Sequence, residues 1–146
     1  MDVFSKAKRA AIMSAVKGRD TGPELAVRRA LHALGLRYRL HDRALPGRPD
    51  VVFKAARVAV FVHGCFWHQH TCPRGTRPTS HSAFWRRKLA GNVARDRRAL
   101  RGLRAMGWRA VLVWECQAGS GDRLAAVSRR IVLLVRARTH TRSQHH

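Results

Sequence analysis

The chain has 146 residues, the length of one domain, and 45% of them are apolar, enough to fold on a core. No apolar run approaches the roughly 18 residues of a membrane span, and the opening MDVFSKAKRAAIM holds no apolar block of the signal-peptide kind. The expectation is a cytoplasmic protein with no membrane contact. Thirty Lys plus Arg face eight Asp plus Glu, a formal net charge of +22. That many like charges on a small domain repel one another unless a polyanion offsets them. A GC-rich genome accounts for Arg in preference to Lys, but not for the net charge. Guanidinium pairs with phosphate in a bidentate way, so nucleic acid is favoured as partner over an anionic membrane surface.

In chain order, residues 5–16 have a short, basic, helical character. Thr21-Gly22-Pro23-Glu24 has capping-box chemistry, with Thr21 as N-cap and Pro23 in the first turn. The helix it opens runs to Leu34 and stops at Gly35. Residues 36–41 read as a short strand, and Leu45-Pro46-Gly47-Arg48-Pro49 is a turn by composition. Residues 50–53 and 57–62 are two Val-rich strands joined by a tight turn. Residues 63–80 form a loop crowded with His, Cys, aromatics and Pro. A long helix is predicted from about 82 to 105, closed by Gly107, then a buried-type strand over 108–114 and a last helix over 123–135. The tail, 136–146, is expected to be disordered. No repeat or linker divides the chain, so it reads as a single mixed α/β domain with its core over about 5–135.

The long helix carries the sharpest periodicity. Trp85, Leu89, Val93, Leu100 and Leu103 fall within roughly 80° of one another at the helical repeat. Asp96 falls inside that stripe, while Arg97 and Arg98 gather with other arginines on another face, suited to phosphate. A carboxylate among apolar side chains needs a partner. That partner is either one of the many arginines or a histidine that Asp96 orients for catalysis.

Asp50 follows the Pro-rich turn and opens a strand, where metal-dependent nucleases hold Mg²⁺ through a carboxylate. Asp is also an ordinary turn residue. Cys65, His70 and Cys72 stand as C-x4-H-x-C, and Cys116 follows the 108–114 strand. Together they are enough for a closed tetrahedral Zn²⁺ site, or they are inert buried thiols. His63 and His68 remain outside that set as candidate general acids or bases. Phe66 and Trp67, between them, either wedge into a base stack or fill a core.

These residues carry a family resemblance. Leu45-Pro46-Gly47-Arg48-Pro49-Asp50, the block Val60-Phe61-Val62-His63-Gly64-Cys65-Phe66-Trp67-His68, Phe84-Trp85 through Asn92-Val93 and Arg95-Asp96-Arg97-Arg98, and Gly107-Trp108-Arg109 to Trp114-Glu115-Cys116 resemble the very short patch repair (Vsr) DNA mismatch endonucleases. The likeness spans about residues 5–120 in order, and the HGCFWH block is its most specific part.

The resemblance implies a restriction-endonuclease-like fold, a central mixed sheet flanked by helices with a structural zinc loop. It implies a Mg²⁺-dependent nick 5′ to the thymine of a T:G mismatch left by deamination of 5-methylcytosine. Asp50 then matches the metal-binding aspartate, and the backbone carbonyl of Val62 a second metal contact. His68 matches the general base, supported by His63 and Asp96, and Glu24 a nearby acid of the N-terminal helix. Cys65, His70, Cys72 and Cys116 match the zinc ligands, and Phe66, Trp67 and Trp85 the aromatics that insert beside the mismatch.

Val stands at 62 where the family has Thr, Gln at 69 where it often has His, and no Glu-x-Lys follows Asp50. Position 62 would bind through its carbonyl, and His63 and His68 would take over the missing chemistry. The expected partner is double-stranded mismatched DNA bound by a monomer, with other mismatch-repair proteins as further candidates. The alternative is a non-catalytic, basic, zinc-containing module that binds nucleic acid by charge and stacking.

Overall fold

The computed structural model describes residues 21–68, 70–72 and 82–143. The helix expected over 5–16, Gln69 and residues 144–146 lie outside them. The elements are α1 (Gly22–Ala33), β1 (Arg39–Leu40), β2 (Val51–Phe53), β3 (Val58–His63), α2 (Ser82–Ala105), β4 (Arg109–Trp114), α3 (Glu115–Ala118) and α4 (Gly121–Ser143).

α1 begins where the capping signal stands. Thr21 Oγ1 accepts from the Glu24 N–H at 3.5 Å. It ends as a Schellman motif, with Gly35 at φ +91° and N–H bonds from Leu36 to Leu31 and from Gly35 to His32 at 3.1 and 3.0 Å. The Glu24 carboxylate, however, is turned toward Arg28 and His41, at 2.9 and 3.2 Å.

The four strands lie in the order β1-β2-β3-β4. β1, β2 and β3 are antiparallel, and β4 runs parallel to β3, with His63 paired to Trp114 at their shared end. Strand alternation divides the core in two. Val51, Phe53, Val58 and Val60 pack with Val27 and Leu31 of α1 and Val127, Ile131 and Val135 of α4. Val52, Ala59 and Phe61 face the other way, onto Leu103 of α2 and Leu45 of the turn before β2. The result is a mixed α/β fold, a four-stranded sheet with helices on both faces. No helix among the described residues is long and apolar enough to cross a membrane.

Three expectations need correction. β4 is not a buried strand. It lies at the sheet edge, and Val113 is its one buried side chain. The strand expected over 36–41 shrinks to Arg39–Leu40, because β2 offers only three residues to pair with. The tail is helical through residue 143 rather than disordered. Its composition is polar, but Arg138 Nε donates to the Ala56 carbonyl at 2.8 Å and its Nη2 to that of Gly107 at 2.9 Å, so tertiary bonds hold what apolar periodicity does not.

The turn before β2 seats directly on α2. A Cβ on Gly47, at φ +77°, would fall 2.6 Å from the Ala99 Cβ, and one on Gly102 would fall 3.0 Å from Pro46 Cγ. Glycine at 47 therefore meets two demands at once, a left-handed backbone and a close helix approach.

Candidate active site

The chemistry-bearing residues meet at one end of the sheet. Asp50 immediately precedes β2, His63 ends β3, and Cys116 follows β4. They open onto a cavity of about 640 Å³ lined by Asp50, Val62, His63, His68, Asn92 and Asp96, among others.

Asp50 Oδ2 accepts from the Val62 N–H at 2.6 Å. Burial pushes its carboxyl up from 3.8 to about 6. The Val62 N–H, His41 and Arg28 act against that rise, and the Glu24 carboxylate adds to it. A carboxylate this costly to ionise favours a cation beside it.

His63 and His68 lie face to face, ring centroids 3.8 Å apart and 6° from parallel. Burial first, and then the neighbouring His68, push His63 down from 6.5 to about 4, with Asp96 acting against them. It is therefore neutral near pH 7. Its Nδ1 has no hydrogen-bond partner among the described residues. His68 Nδ1 lies 2.5 Å from Asp96 Oδ2. The acid on the apolar stripe of α2 is thus partnered by a histidine rather than by an arginine. A carboxylate only accepts, so Nδ1 carries a proton, and in the neutral ring Nε2 keeps a lone pair that can take a proton from water.

Cys65, His70, Cys72 and Cys116 each offer a ligand atom within 4.8 Å of the others. The set fits a tetrahedral soft-metal site in donor type and number. Burial raises the Cys65 thiol to about 12, the Cys116 backbone N–H opposes this, and hydrogen bonds with the Cys72 and Cys116 side chains reinforce it. Its thiolate calls for a cation. Main-chain bonds from His68 to Gly64 and from His70 to Cys65, at 3.2 and 2.9 Å, close the loop on itself.

Phe66, Trp67 and Trp85 form one aromatic cluster, with centroids 5.0 to 5.8 Å apart. Trp85 is only 1% exposed. In this conformation it backs Phe66 and the half-buried Trp67 from beneath. Arg97 and Arg98 are exposed on α2 beside Asp96.

Several residues of the site escaped the sequence reading. Trp114 stacks on His70 at 4.2 Å and meets His63 edge-on at 5.3 Å, joining the Cys/His cluster to the histidine pair. Asn92 donates to the Trp67 carbonyl at 3.2 Å, fastening the loop to α2. Arg28 and His41 surround Glu24. Arg28 alone had a local signal, a Glu-to-Arg spacing of four on a helix face shared with Val27 and Leu31.

Comparison with known proteins gives the class. The family description "DNA mismatch endonuclease Vsr" matches residues 1–74. The chain is 44% identical over 131 residues to the type II nicking enzyme V.XorIIP of Xanthomonas oryzae pv. oryzae, covering 90% of this chain and 96% of that one. It is 42% identical over 123 residues to the DNA mismatch endonuclease Vsr of Escherichia coli, covering 84% and 79%. The type II nicking enzyme V.NmeAIP of Neisseria meningitidis is 38% identical over 116 residues, covering 80% and 83%. A DNA endonuclease, a hydrolase of phosphodiesters, is what these relatives and this cleft have in common, and the non-catalytic module gives way to it. The chain belongs to the Vsr DNA mismatch endonuclease family.

Proposed function

We propose that the protein nicks one strand of double-stranded DNA 5′ to the thymine of a T:G mismatch, with Mg²⁺ held by Asp50 and the Val62 carbonyl. The observation that carries this reading is the Asp96-oriented His68 facing the same cavity as Asp50. In an extended strand the N–H and C=O of one residue point to the same side. The Val62 N–H reaches Asp50, so its carbonyl points to that same side of β3. Carboxylate and carbonyl oxygens are the hard donors that Mg²⁺ takes. When bound, the ion lowers the pKa of water and offsets charge developing on the phosphate.

His68 Nε2 takes the proton of the attacking water while Asp96 holds the ring by Nδ1–H. His63, kept neutral by burial, stacks on His68 and fixes its plane. Zn²⁺ on Cys65, His70, Cys72 and Cys116 would act structurally, because four protein ligands leave no position for water. Phe66 and Trp67, braced by Trp85, would enter the stack at the mismatch, where unstacking costs least. Glu24 acts on the site through His41 and Arg28. Arg97 and Arg98 would hold phosphates.

The sheet flanked by helices, with its acids at strand ends, supports a restriction-endonuclease-like fold in a single domain. A cytoplasmic monomer is the simplest assembly for such a nickase, with other mismatch-repair proteins as candidate partners. The test is incubation of pure protein and Mg²⁺ with a T:G duplex and its T:A counterpart. Nicking of the first alone supports the reading, and no nick in either refutes it.

A further inference from the structure

Beside Asp50, Glu24 and His41 each offer a ligand atom, and all three atoms lie within 4.8 Å of one another. Two carboxylates and an imidazole next to a catalytic ion are the make-up of a second divalent site. His41 is held there at a conformational cost. Its φ of 47° is left-handed for a residue with a Cβ, and its N–H donates to the Asp50 carbonyl at 3.3 Å.

A cation already stands in this position. Arg28 Nη2 lies 2.9 Å from Glu24 Oε2 and 3.3 Å from His41 Nε2, while those two atoms are 3.2 Å apart. A divalent ion bound to both would sit about 2.1 Å from each. It would then lie no more than about 4 Å from the guanidinium nitrogen on either side of the line joining its ligands, where monocation and dication repel strongly. The Arg28 and Glu24 side chains are only 10% and 11% exposed, so water screens little of that repulsion.

Resting on the reading of Asp50 as a Mg²⁺ ligand, we propose that Arg28 is the built-in second cation of this site. The chain then loads one divalent ion, at Asp50, and removing the guanidinium opens a second ion site on Glu24, His41 and Asp50. Arg28 thus positions Glu24 and His41 and sets the number of metal ions, without touching the reacting atoms.

The test counts Mn²⁺ bound per chain in the full-length, zinc-saturated protein without DNA, by titration calorimetry and by electron paramagnetic resonance. Arg28→Met is expected to bind one ion more than wild type, Arg28→Lys the same number as wild type. Adding Glu24→Gln to Arg28→Met should remove the extra ion. An unchanged count in folded Arg28→Met overturns the proposal. So does a wild-type count of two that falls to one in His41→Asn, a measurement that needs no Arg28 variant to fold. Asp50→Asn separates the two readings. If it leaves the wild-type count unchanged, the Mg²⁺ assignment at Asp50 fails, whereas the role of Arg28 is read from the difference between its variants.

Discussion

His68 Nδ1 and Asp96 Oδ2 stand 2.5 Å apart, although 28 positions separate the two residues along the chain. One lies in the loop after β3 and the other on the apolar stripe of α2, so the bond joins the loop to the helix as well as orienting the ring. An acid placed among Leu89, Leu100 and Leu103 would otherwise weaken α2.

Asp96→Asn keeps the shape but offers an amide that can donate to the ring and so stabilise the wrong tautomer. Nicking of a T:G duplex should fall on the order of 10²-fold in kcat, with little change in DNA affinity. Single-turnover rates on a saturating duplex measure this, and a near-wild-type rate would exclude His68 as the base.

Asp50 gives a pH dependence with a definite sign. Its carboxyl titrates near 6 in the folded chain against 3.8 for the free group, so between these values the folded state holds a proton that the unfolded state has released. Stability without divalent ions must then fall as pH rises through that window, by about 3 kcal/mol from this group. Asp50→Asn should match wild type near pH 4, melt higher than Mg²⁺-free wild type at pH 7.5, and bind mismatched DNA without nicking it. Melting curves across pH in Mg²⁺-free buffer, with and without added Mg²⁺, decide it, since the ion should narrow the gap.

Pure protein should contain one zinc per chain. Cys116→Ser should lose it and melt lower, with chemistry at low temperature less affected than stability, because the four-ligand set leaves no site for substrate water. Absence of zinc from the protein in metal analysis would void the ligand assignment.

Trp67→Ala should reduce the preference for T:G over matched duplex while leaving the salt dependence of binding unchanged. Arg97→Ala with Arg98→Ala should do the reverse, lowering the slope of log K against log salt by about 2 for two lost phosphate contacts. Trp85→Ala, at a buried position, should cost about 3–5 kcal/mol of stability. Equal loss on both duplexes in Trp67→Ala would make that residue core.

Much of this molecule is written locally. Thr21 and Gly35 bracket α1, the Val-rich runs in residues 50–62 mark β2 and β3, and the stripe from Trp85 to Leu103 marks α2. The edge position of β4 is not local, since it follows from pairing with β3 some fifty residues earlier. Nor is the length of α4, whose last turns depend on carbonyls at Ala56 and Gly107. In the site, scarcity helped. With eight acids in the chain, Asp50, Asp96 and Glu24 could each be weighed, and the cavity gathers the first two with both histidines. Arg28 had only its helical spacing from Glu24 to mark it among many arginines, and His41 lay in a segment with no motif, where only the tertiary approach of Glu24 gives it a role.

The seat of the Pro-rich turn on α2 has a consequence for which substitutions the protein tolerates. Asp50 hangs from that turn and Asp96 from that helix, and the two supports are separated at Gly47 and Gly102 by backbone alone, with Ala99 Cβ and Pro46 Cγ filling the remaining space. Adding one methyl at Gly47, 2.6 Å from the Ala99 Cβ, would drive the supports apart and widen the gap between the two carboxylates. In a saturation scan for activity, position 47 should therefore rank with the ionisable residues, despite having no group that can react.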